Sequence, residues 1–593
     1  MKLIRPITVG ATGAFSRAST ATYYDKNGLL QTASSNIARL SYDPTDLTVP
    51  PAWLLEAAAT NLLLQSQAVD SASWGKFSAT VSADIVTAPS GLVTADRLTG
   101  TSTDGACSQA FTPASTAPHT FSIWMKSSSI TVFRVYVYRN SPQTFEYSTP
   151  VALTSTWQRF EFPFTPVDTS LHLVQIGGGN SLGLGQFVDL WGAQVEVGAA
   201  TSYIATTGAT GTRAADLNTL VMLSNIPEPD TGDPAPWGST TSYVAGTQVR
   251  VPSTHEVFEA AAGGSIATVT FTSGNASASV NWTAHGLANG TPVAFKSSGS
   301  LPSELIVGQT YYVVSAAANT FGVSATVGGS GISLSGVGSG THTAQPNPNY
   351  GKDPTLPANA AYWTRVGPTN RWAMFDQLSN TDSEYADVVA TNIDLSERID
   401  SLGLLNISAS KARVIVTDAT DGVVYDQTYS LVSTDGIDDA WAYCFEPIER
   451  DGELILEDLP PYYGSNLQII LAGIGETVSC GMCIPGLSYT LGGTQYGARV
   501  GIQDYSVKST DEFGNIEITA RSYAKRGSFS MRFPKGRTDS VVKNLTEYRT
   551  TPALWVGHAD YGSTAIFGFY KDFNVLIDKL SHSLCEIEIE GLT

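Results

Sequence analysis

A hydrophobic period of two, repeated in short runs along the chain, constrains the fold more than any other feature of this sequence. Ile123 and Met125 alternate with polar neighbours, residues 132–138 continue the pattern, and Phe160, Phe162 and Phe164 share one face. Trp191, Ala193, Val195 and Val197 share another, with Gln194 and Glu196 opposite. Successive side chains of a strand point to opposite faces, so each such run buries one face and wets the other. Clusters of Gly, Pro, Ser and Asn separate the runs, as in a β-sandwich. Only two stretches read as helical, residues 54–63 and 382–390.

At 593 residues the chain is too long for one core, and about one domain per 150 residues suggests roughly four. Only 15% of residues are charged, and 55 Gly with 29 Pro suit short strands and many turns. The expectation is an all-β, multidomain chain of several β-sandwich domains plus small β modules. The net charge of −20 is unevenly placed: residues 1–225 hold 12 Lys plus Arg against 14 Asp plus Glu, and the remainder 21 against 39. A phosphate backbone is bound by displacing counterions with Lys and Arg, so nucleic acid is not an expected partner. No run approaches the ~18–20 consecutive apolar residues that span a bilayer, so no membrane insertion is expected. Lys2 and Arg5 precede a stretch broken by Thr and Gly, and no signal peptide is read there.

Strings that could carry chemistry fail on context. Cys480-Gly481-Met482-Cys483 is a single CxxC that Cys444 and Cys585 could complete to four thiolates. Paired knuckles are what zinc sites show, so these cysteines read as buried structural thiols, with zinc or a labile disulfide left open. His255-Glu256-Val257-Phe258-Glu259 ends in Glu where a zinc protease needs a second His. Gly179-Asn180-Ser181-Leu182-Gly183 matches a nucleophile-elbow string but runs toward another strand, whereas an elbow needs a helix after it. Asp418 to Gly422 is a poor match to a calcium loop. No long repeat of the kind that builds a β-helix is present. No catalytic residue, metal or cofactor is therefore assigned, and an enzyme is not expected.

Phe15-Ser16-Arg17-Ala18-Ser19-Thr20-Ala21-Thr22-Tyr23 and Val188-Asp189-Leu190-Trp191-Gly192-Ala193-Gln194-Val195-Glu196 bracket Asn61-Leu62-Leu63, Arg97-Leu98-Thr99 and Phe121-Ser122-Ile123-Trp124-Met125-Lys126. Together they resemble the lectin-like β-sandwich of fibre, spike and tail proteins of tailed bacteriophages, over residues 1–218. Within it Trp74, Trp124, Trp157 and Trp191 are expected mainly in the core. A Pro-rich polar linker follows, residues 219–236. Trp237, Tyr243 with Gly246 and Val249, Phe258 with Ala260, Pro354, Pro357 and Trp363 then keep the order of the chitin-type carbohydrate-binding modules of families five and twelve, which residues 237–264 and 346–372 resemble.

That resemblance implies that some of Trp237, Tyr243, Phe258 and Trp363 line a carbohydrate site. Sugars present flat C–H patches that stack on aromatic rings. The alternative, kept open, is that they form the core of a module too small to fold otherwise. The interruption, residues 265–345, carries a tight-turn signal at Asn289-Gly290 and is similar to a small β-domain of phage tail proteins. Residues 373–490 resemble a galactose-binding-like β-sandwich, and 491–593 resemble a β-rich tail-protein domain. Trp441 and Trp555 have no assignment. The resemblances imply a structural virion protein of a phage tail, tail fibre or baseplate, made in the host bacterial cytoplasm. Its expected partners are a host cell-surface glycan, other tail proteins and copies of itself, with a trimer favoured. The alternatives are a purely architectural tail protein without glycan binding, or a glycan-cleaving spike.

Overall fold

A computed structural model describes the chain except residues 8, 10–13, 220–221, 240, 242, 262–264, 347–348, 350, 379–380, 434–436, 448, 511–515, 559–560, 578–579 and 593, and the side chains of residues 442, 510 and 517. Strands hold 48% of residues and helices 6%, so the chain is all-β, built of several sheets and a barrel.

The first unit is a sandwich of two antiparallel sheets. One has five strands in the order Gln158–Phe164, His119–Lys126, Phe187–Val197, Val93–Gly100, Ala79–Thr87. The other runs Thr144–Tyr147, Val132–Arg139, His172–Gly177, Ala106–Phe111, Trp74–Phe77, with Pro150–Ala152 added beside Val132–Arg139. The alternation read from the sequence fills the space between them: Phe121, Ile123, Phe133, Val135, Val137, Val174 and Ile176 have no exposure. Each such side chain contributes about 1.5–3 kcal/mol on burial.

The outer face of the five-stranded sheet is covered. Trp124 and Trp191 lie on it, edge to face, under Leu30 and Tyr203. A buried ion network holds these covering segments. Arg17 reaches Asp216 at 2.9 Å, and Arg39 reaches Asp216 at 2.6 Å and Glu56 at 2.8 Å. The side chains of Arg17, Arg39 and Asp216 have no exposure, so the loss of one partner would strand a buried charge. The network explains chemically why the Phe15–Tyr23 string needs its Arg. Trp74 is buried like Trp124 and Trp191, while Trp157 is half-buried under Lys126, whose Nζ lies 4.7 Å from its ring.

Neither expected helix forms: residues 54–63 are irregular but for the short strand Ala59–Asn61, and residues 383–390 lie in a strand. Ala59–Asn61 pairs with Gly211–Arg213, and the Asn61 amide donates to the carbonyls of Ala193 and Ile204. Ser383–Asp394 pairs along the 25-residue strand Asn466–Thr490. Tertiary pairing overrides the helix propensity of Ala, Leu and Glu there. The α-helices among the described residues are Ala440–Phe445 and Thr538–Glu547, and neither was expected.

Gln248–Val251, Glu256–Ala260 and Trp363–Pro368 form a three-stranded sheet with a small core of its own. Between its second and third strands the chain closes a six-stranded barrel, from Ala267–Phe271 to His342–Pro346, around Phe271, Phe295, Tyr311 and Phe321. Besides five two-stranded ribbons, the remaining strands make one fourteen-stranded sheet. Its hydrogen bonding crosses the boundary expected at residue 490 and also recruits Lys2–Pro6, which lies between Asn466–Thr490 and Ala553–Val556. The first strand of the chain thus belongs to this sheet and not to the sandwich that follows it. Leu3 and Ile4, both fully buried, fix it there.

Candidate functional site

The outer face of the six-stranded sheet is not covered as its counterpart is, and it carries aromatic rings. Val135 and Val137 point into the core, so Arg134, Tyr136 and Tyr138 lie on the outer face, the first two half-buried and Tyr138 buried at 9% exposure. A bulge lets the neighbouring strand add a third ring. Tyr147 pairs with Val137 and packs against the core, but Phe145 pairs with Tyr138, and the intervening Glu146 has no partner across the ladder. The extra residue switches faces, turning Phe145 outward to 53% exposure. Its ring centroid lies 5.6 Å from that of Tyr136 and 5.4 Å from that of Tyr138.

Buried polar contacts hold the bulge. Glu146 accepts from the Val167 amide at 2.8 Å and lies 2.9 Å from His172 Nε2, with the side chains of Glu146 and His172 3% and 0% exposed. Asp168 braces Arg139 at 2.7 Å, and hydrogen bonds from Ser170 and then Arg139 hold its carboxyl well below the usual range.

Across the sheet the register sets Tyr136 beside Gln175, Gln175 beside Ser108, and Ser108 beside Gly75. Phe77, 54% exposed, rises next to Gly75. Three strand spacings separate the two aromatic edges, about 14 Å, and the floor between them is small or polar. The Tyr138 hydroxyl donates to Gln175 Oε1 at 3.2 Å, and partial burial raises its pKa. At the end of the Tyr136 edge, Arg134 and Gly179 lead into an open groove of about 600 Å³ lined by Ser128, Thr131, Thr154, Asn180 and Gln186. Flat rings beside amide, hydroxyl and guanidinium groups can stack a C–H face and hydrogen-bond a hydroxyl rim.

The four residues expected from the sequence come together elsewhere, around the three-stranded sheet. Trp363 is 5% and Phe258 9% exposed, so both are filling and present no open face. Tyr243 is half-buried, edge-on to Trp363 at 5.5 Å, and its hydroxyl accepts from the Gly238 amide at 2.6 Å. The Trp363 indole donates to the Lys352 carbonyl at 2.7 Å. Trp237 is half-buried, and its indole N–H, buried, meets no acceptor; a ligand oxygen would satisfy it.

The four carboxy-terminal-region thiols are not gathered. Cys480 and Cys483 sit in one core, Cys585 in another, and Cys444 is exposed. Burial pushes Cys480 up to about 12 and Cys585 to about 11, and raises Cys107 and Cys483 as well. Among the described residues no three His, Cys, Asp or Glu side chains are placed to hold a metal ion. Ser181 sits in the loop after His172–Gly177, its hydroxyl donating to the Gly178 carbonyl at 2.7 Å, and Phe187–Val197 follows as a strand.

The sequence signal for the sheet-face site was present but unread. In residues 132–138 the wet face of an alternating strand carries Arg, Tyr and Tyr. A polar face does not ordinarily carry two tyrosines in succession, here Tyr136 half-buried and Tyr138 buried at 9% exposure.

No family model and no curated protein matches the chain. Parts of it are similar to solved structures. One is the enzymatically active domain of tailspike protein 4 of bacteriophage CBA120, at 10% identity over 23% of this chain and 21% of that one, TM-score 0.19. A second is a family 11 carbohydrate-binding module of a cellulosomal cellulase of Clostridium thermocellum, at 15% identity over 23% and 95%, TM-score 0.18. A third is a family 29 carbohydrate-binding module complexed with cellulohexaose, at 12% identity over 24% and 94%, TM-score 0.18. The chain thus spans about a fifth of the tailspike domain it matches, and at these scores none of the likenesses identifies a relative.

Proposed function

We propose that this chain is a carbohydrate-binding virion protein of a phage tail, tail fibre or baseplate, made in the host bacterial cytoplasm, and that it holds host-surface glycan on the outer face of its first sandwich. The observation that carries the binding reading is Phe145, turned outward by a bulge to stand against half-buried Tyr136 and buried Tyr138, beside Gln175 and Arg134. An exposed Phe at a bulge anchored by a buried Glu–His contact gains nothing for the core, and it fits a stacking platform. The trough suits a chain of a few sugar rings lying across the strands, with hydroxyls toward Gln175 and Ser108. The virion reading is supported by the residue strings at 15–23 and 188–196, with Arg17 of the first string held in the buried ion network.

The test is a panel of bacterial surface polysaccharides, probed with the full chain and with a Tyr136→Ala/Phe145→Ala double variant. Saturable binding that the double variant loses, and competition by the bound polysaccharide for adsorption of particles that carry the chain, are the expected results. Binding unchanged in a folded double variant would remove the sheet face from the site, and no binding to any member would leave the architectural alternative.

A further inference from the structure

The groove at the Tyr136 edge of the sheet-face platform carries a single charge. Hydroxyls of Ser128, Thr131 and Thr154 and the amides of Asn180 and Gln186 line it, Arg134 is its one charged residue, and among the described residues no carboxylate lines it. Asp104, in the loop beyond, accepts the Asn180 backbone amide at 3.0 Å and is not part of the lining. The strands of the six-stranded sheet hold three cations, and the chain satisfies the other two. Arg139 is paired with Asp168 at 2.7 Å, and Lys76 donates to the carbonyls of Asp70 and Ser71. Arg134 has only the Ser148 carbonyl, at 3.5 Å, and among the described residues no carboxylate within 4 Å. A guanidinium presents five N–H donors in a planar fork, so one long bond leaves most of them for water or a ligand.

The loop holds Arg134 beside the platform. A Cβ on Gly179 would stand 2.9 Å from Arg134 Cδ and would overlap the Tyr136 hydroxyl, so this glycine, at φ +59°, lies against both side chains at once. Arg134 and Tyr136 are two residues apart on one face of their strand, about 7 Å along it. A sugar stacked on Tyr136 therefore brings its own substituent, or the next sugar, to the guanidinium. Charge over the whole chain favours the same place. Residues 1–225 hold 12 cationic against 14 acidic side chains and the remainder 21 against 39, so a polyanion meets least repulsion at the sandwich.

We propose that the glycan held by this chain is anionic, with a carboxylate or phosphodiester on the sugar taken by Arg134 while a neighbouring ring stacks on Tyr136 and Phe145. Either group offers two oxygens to the guanidinium fork. The side chains of Ser128, Thr131 and Asn180, which meet no hydrogen-bond partner among the described residues, take the hydroxyls around the charged group. This rests on the sheet-face reading and adds the class of substrate to it.

The test titrates the full chain with acidic and neutral bacterial surface polysaccharides, and with each acidic one after its charge is removed. Carboxyls are reduced to primary alcohols in one arm, and phosphate is removed with hydrogen fluoride in the other. Acidic members should bind, and removal of the charge should weaken binding at least tenfold; the arm in which it does so identifies the group that Arg134 holds. In Arg134→Gln the native and discharged forms should bind alike, whereas Tyr136→Ala/Phe145→Ala should weaken both by a similar factor. Arg134→Lys should recover part of the preference, because it keeps the charge and loses the fork. Binding of neutral polysaccharides alone, an affinity unchanged by removal of the charge, or a preference that survives Arg134→Gln would each overturn the proposal and leave the platform standing. A preference lost in Arg134→Gln, beside an aromatic double variant that binds as the wild type does, would support Arg134 and remove the platform. No binding to any member would overturn both.

Discussion

Tyr136, Tyr138 and Phe145 lie over a sheet whose other side is already filled by Phe133, Val135, Val137, Val174 and Ile176, whereas Phe258 and Trp363 are themselves the filling of a three-stranded sheet. Residue type is the same in both places, and the difference is how much sheet there is to build a core from. Two sheets of five and six strands bury an aliphatic and Phe-rich interior, and rings on the outer face such as Phe145 and, in part, Tyr136 are then free to meet solvent. A sheet of three short strands encloses little volume, so its largest side chains must turn inward, as the surface-to-volume limit on small folds requires. An aromatic motif in a small module therefore reads first as core, and an aromatic on the wet face of a large sheet reads first as a site.

The comparison breaks most visibly at Trp363. Trp363→Ala should remove a ring that is 5% exposed and an indole bonded to the Lys352 carbonyl, at a cost of about 3–5 kcal/mol. Hydrogen exchange on the full chain is the measurement, with protection expected to vanish in Gln248–Val251 and Glu256–Ala260 and to persist in the first sandwich. Retained protection in those two strands would mean that Trp363 is not the centre of their core, and the contrast drawn above would lose one side.

On the other side of the comparison, Tyr136→Ala and Phe145→Ala should each weaken glycan binding by about 1–3 kcal/mol, roughly ten- to a hundredfold, with little change in stability. Tyr243→Ala supplies the internal control. Its ring rests on Trp363 and its hydroxyl takes the Gly238 amide, so its main effect should be on the stability of the small module. If Tyr243→Ala instead abolishes binding in a folded chain while the sheet-face variants bind normally, the two regions have exchanged roles.

These residues also show how far the sequence could be read. Alternation at 123–125, 132–138 and 160–164 was legible because a sandwich strand obeys a strict period of two, and those positions do form its core. The face-switching bulge at Glu146 was not legible, because an extra residue in a strand leaves no compositional mark and shows only as a shift of register. Residues 54–63 misled through their Ala and Leu content, a local propensity that long-range pairing of Ala59–Asn61 with Gly211–Arg213 outweighs. The place of Lys2–Pro6 in the large sheet could not be read either. Its partners lie 480 residues or more away, and five residues carry no address.

A finer probe of the platform is Gly179, which has φ +59° and lies against the edge ring. A Cβ there would overlap the Tyr136 hydroxyl and stand 2.9 Å from Arg134 Cδ. Gly179→Ala should cost about 1–2 kcal/mol in backbone strain and displace Tyr136. Affinity should fall by less than in Tyr136→Ala, because the ring is moved and not removed. Calorimetric titration beside thermal unfolding separates the two terms. A loss of stability with unchanged affinity would show that the Tyr136 edge of the trough is not touched by the glycan.

The smallest effect is expected where the largest piece is taken away. The barrel leaves and re-enters the three-stranded module through neighbouring strands, Ala267 pairing with Ala344, so its two ends already lie side by side. Its core is separate from the cluster around Trp363, and loop-closure entropy grows only logarithmically with length. Two side chains at and just after the end of the last barrel strand do serve the module: Gln345 and Asn349 both donate to the Tyr243 carbonyl. A full-length chain in which residues 268–343 are replaced by a short Gly/Ser linker, with Gln345 and Asn349 kept, should hold the module's unfolding midpoint within a few degrees. Protection in Glu256–Ala260 and Trp363–Pro368 should likewise be retained. Loss of that protection would mean that the three strands and their aromatic filling do not suffice as a core. The small module would then be folded by the barrel it carries, and its buried rings would need another explanation than the shortage of sheet.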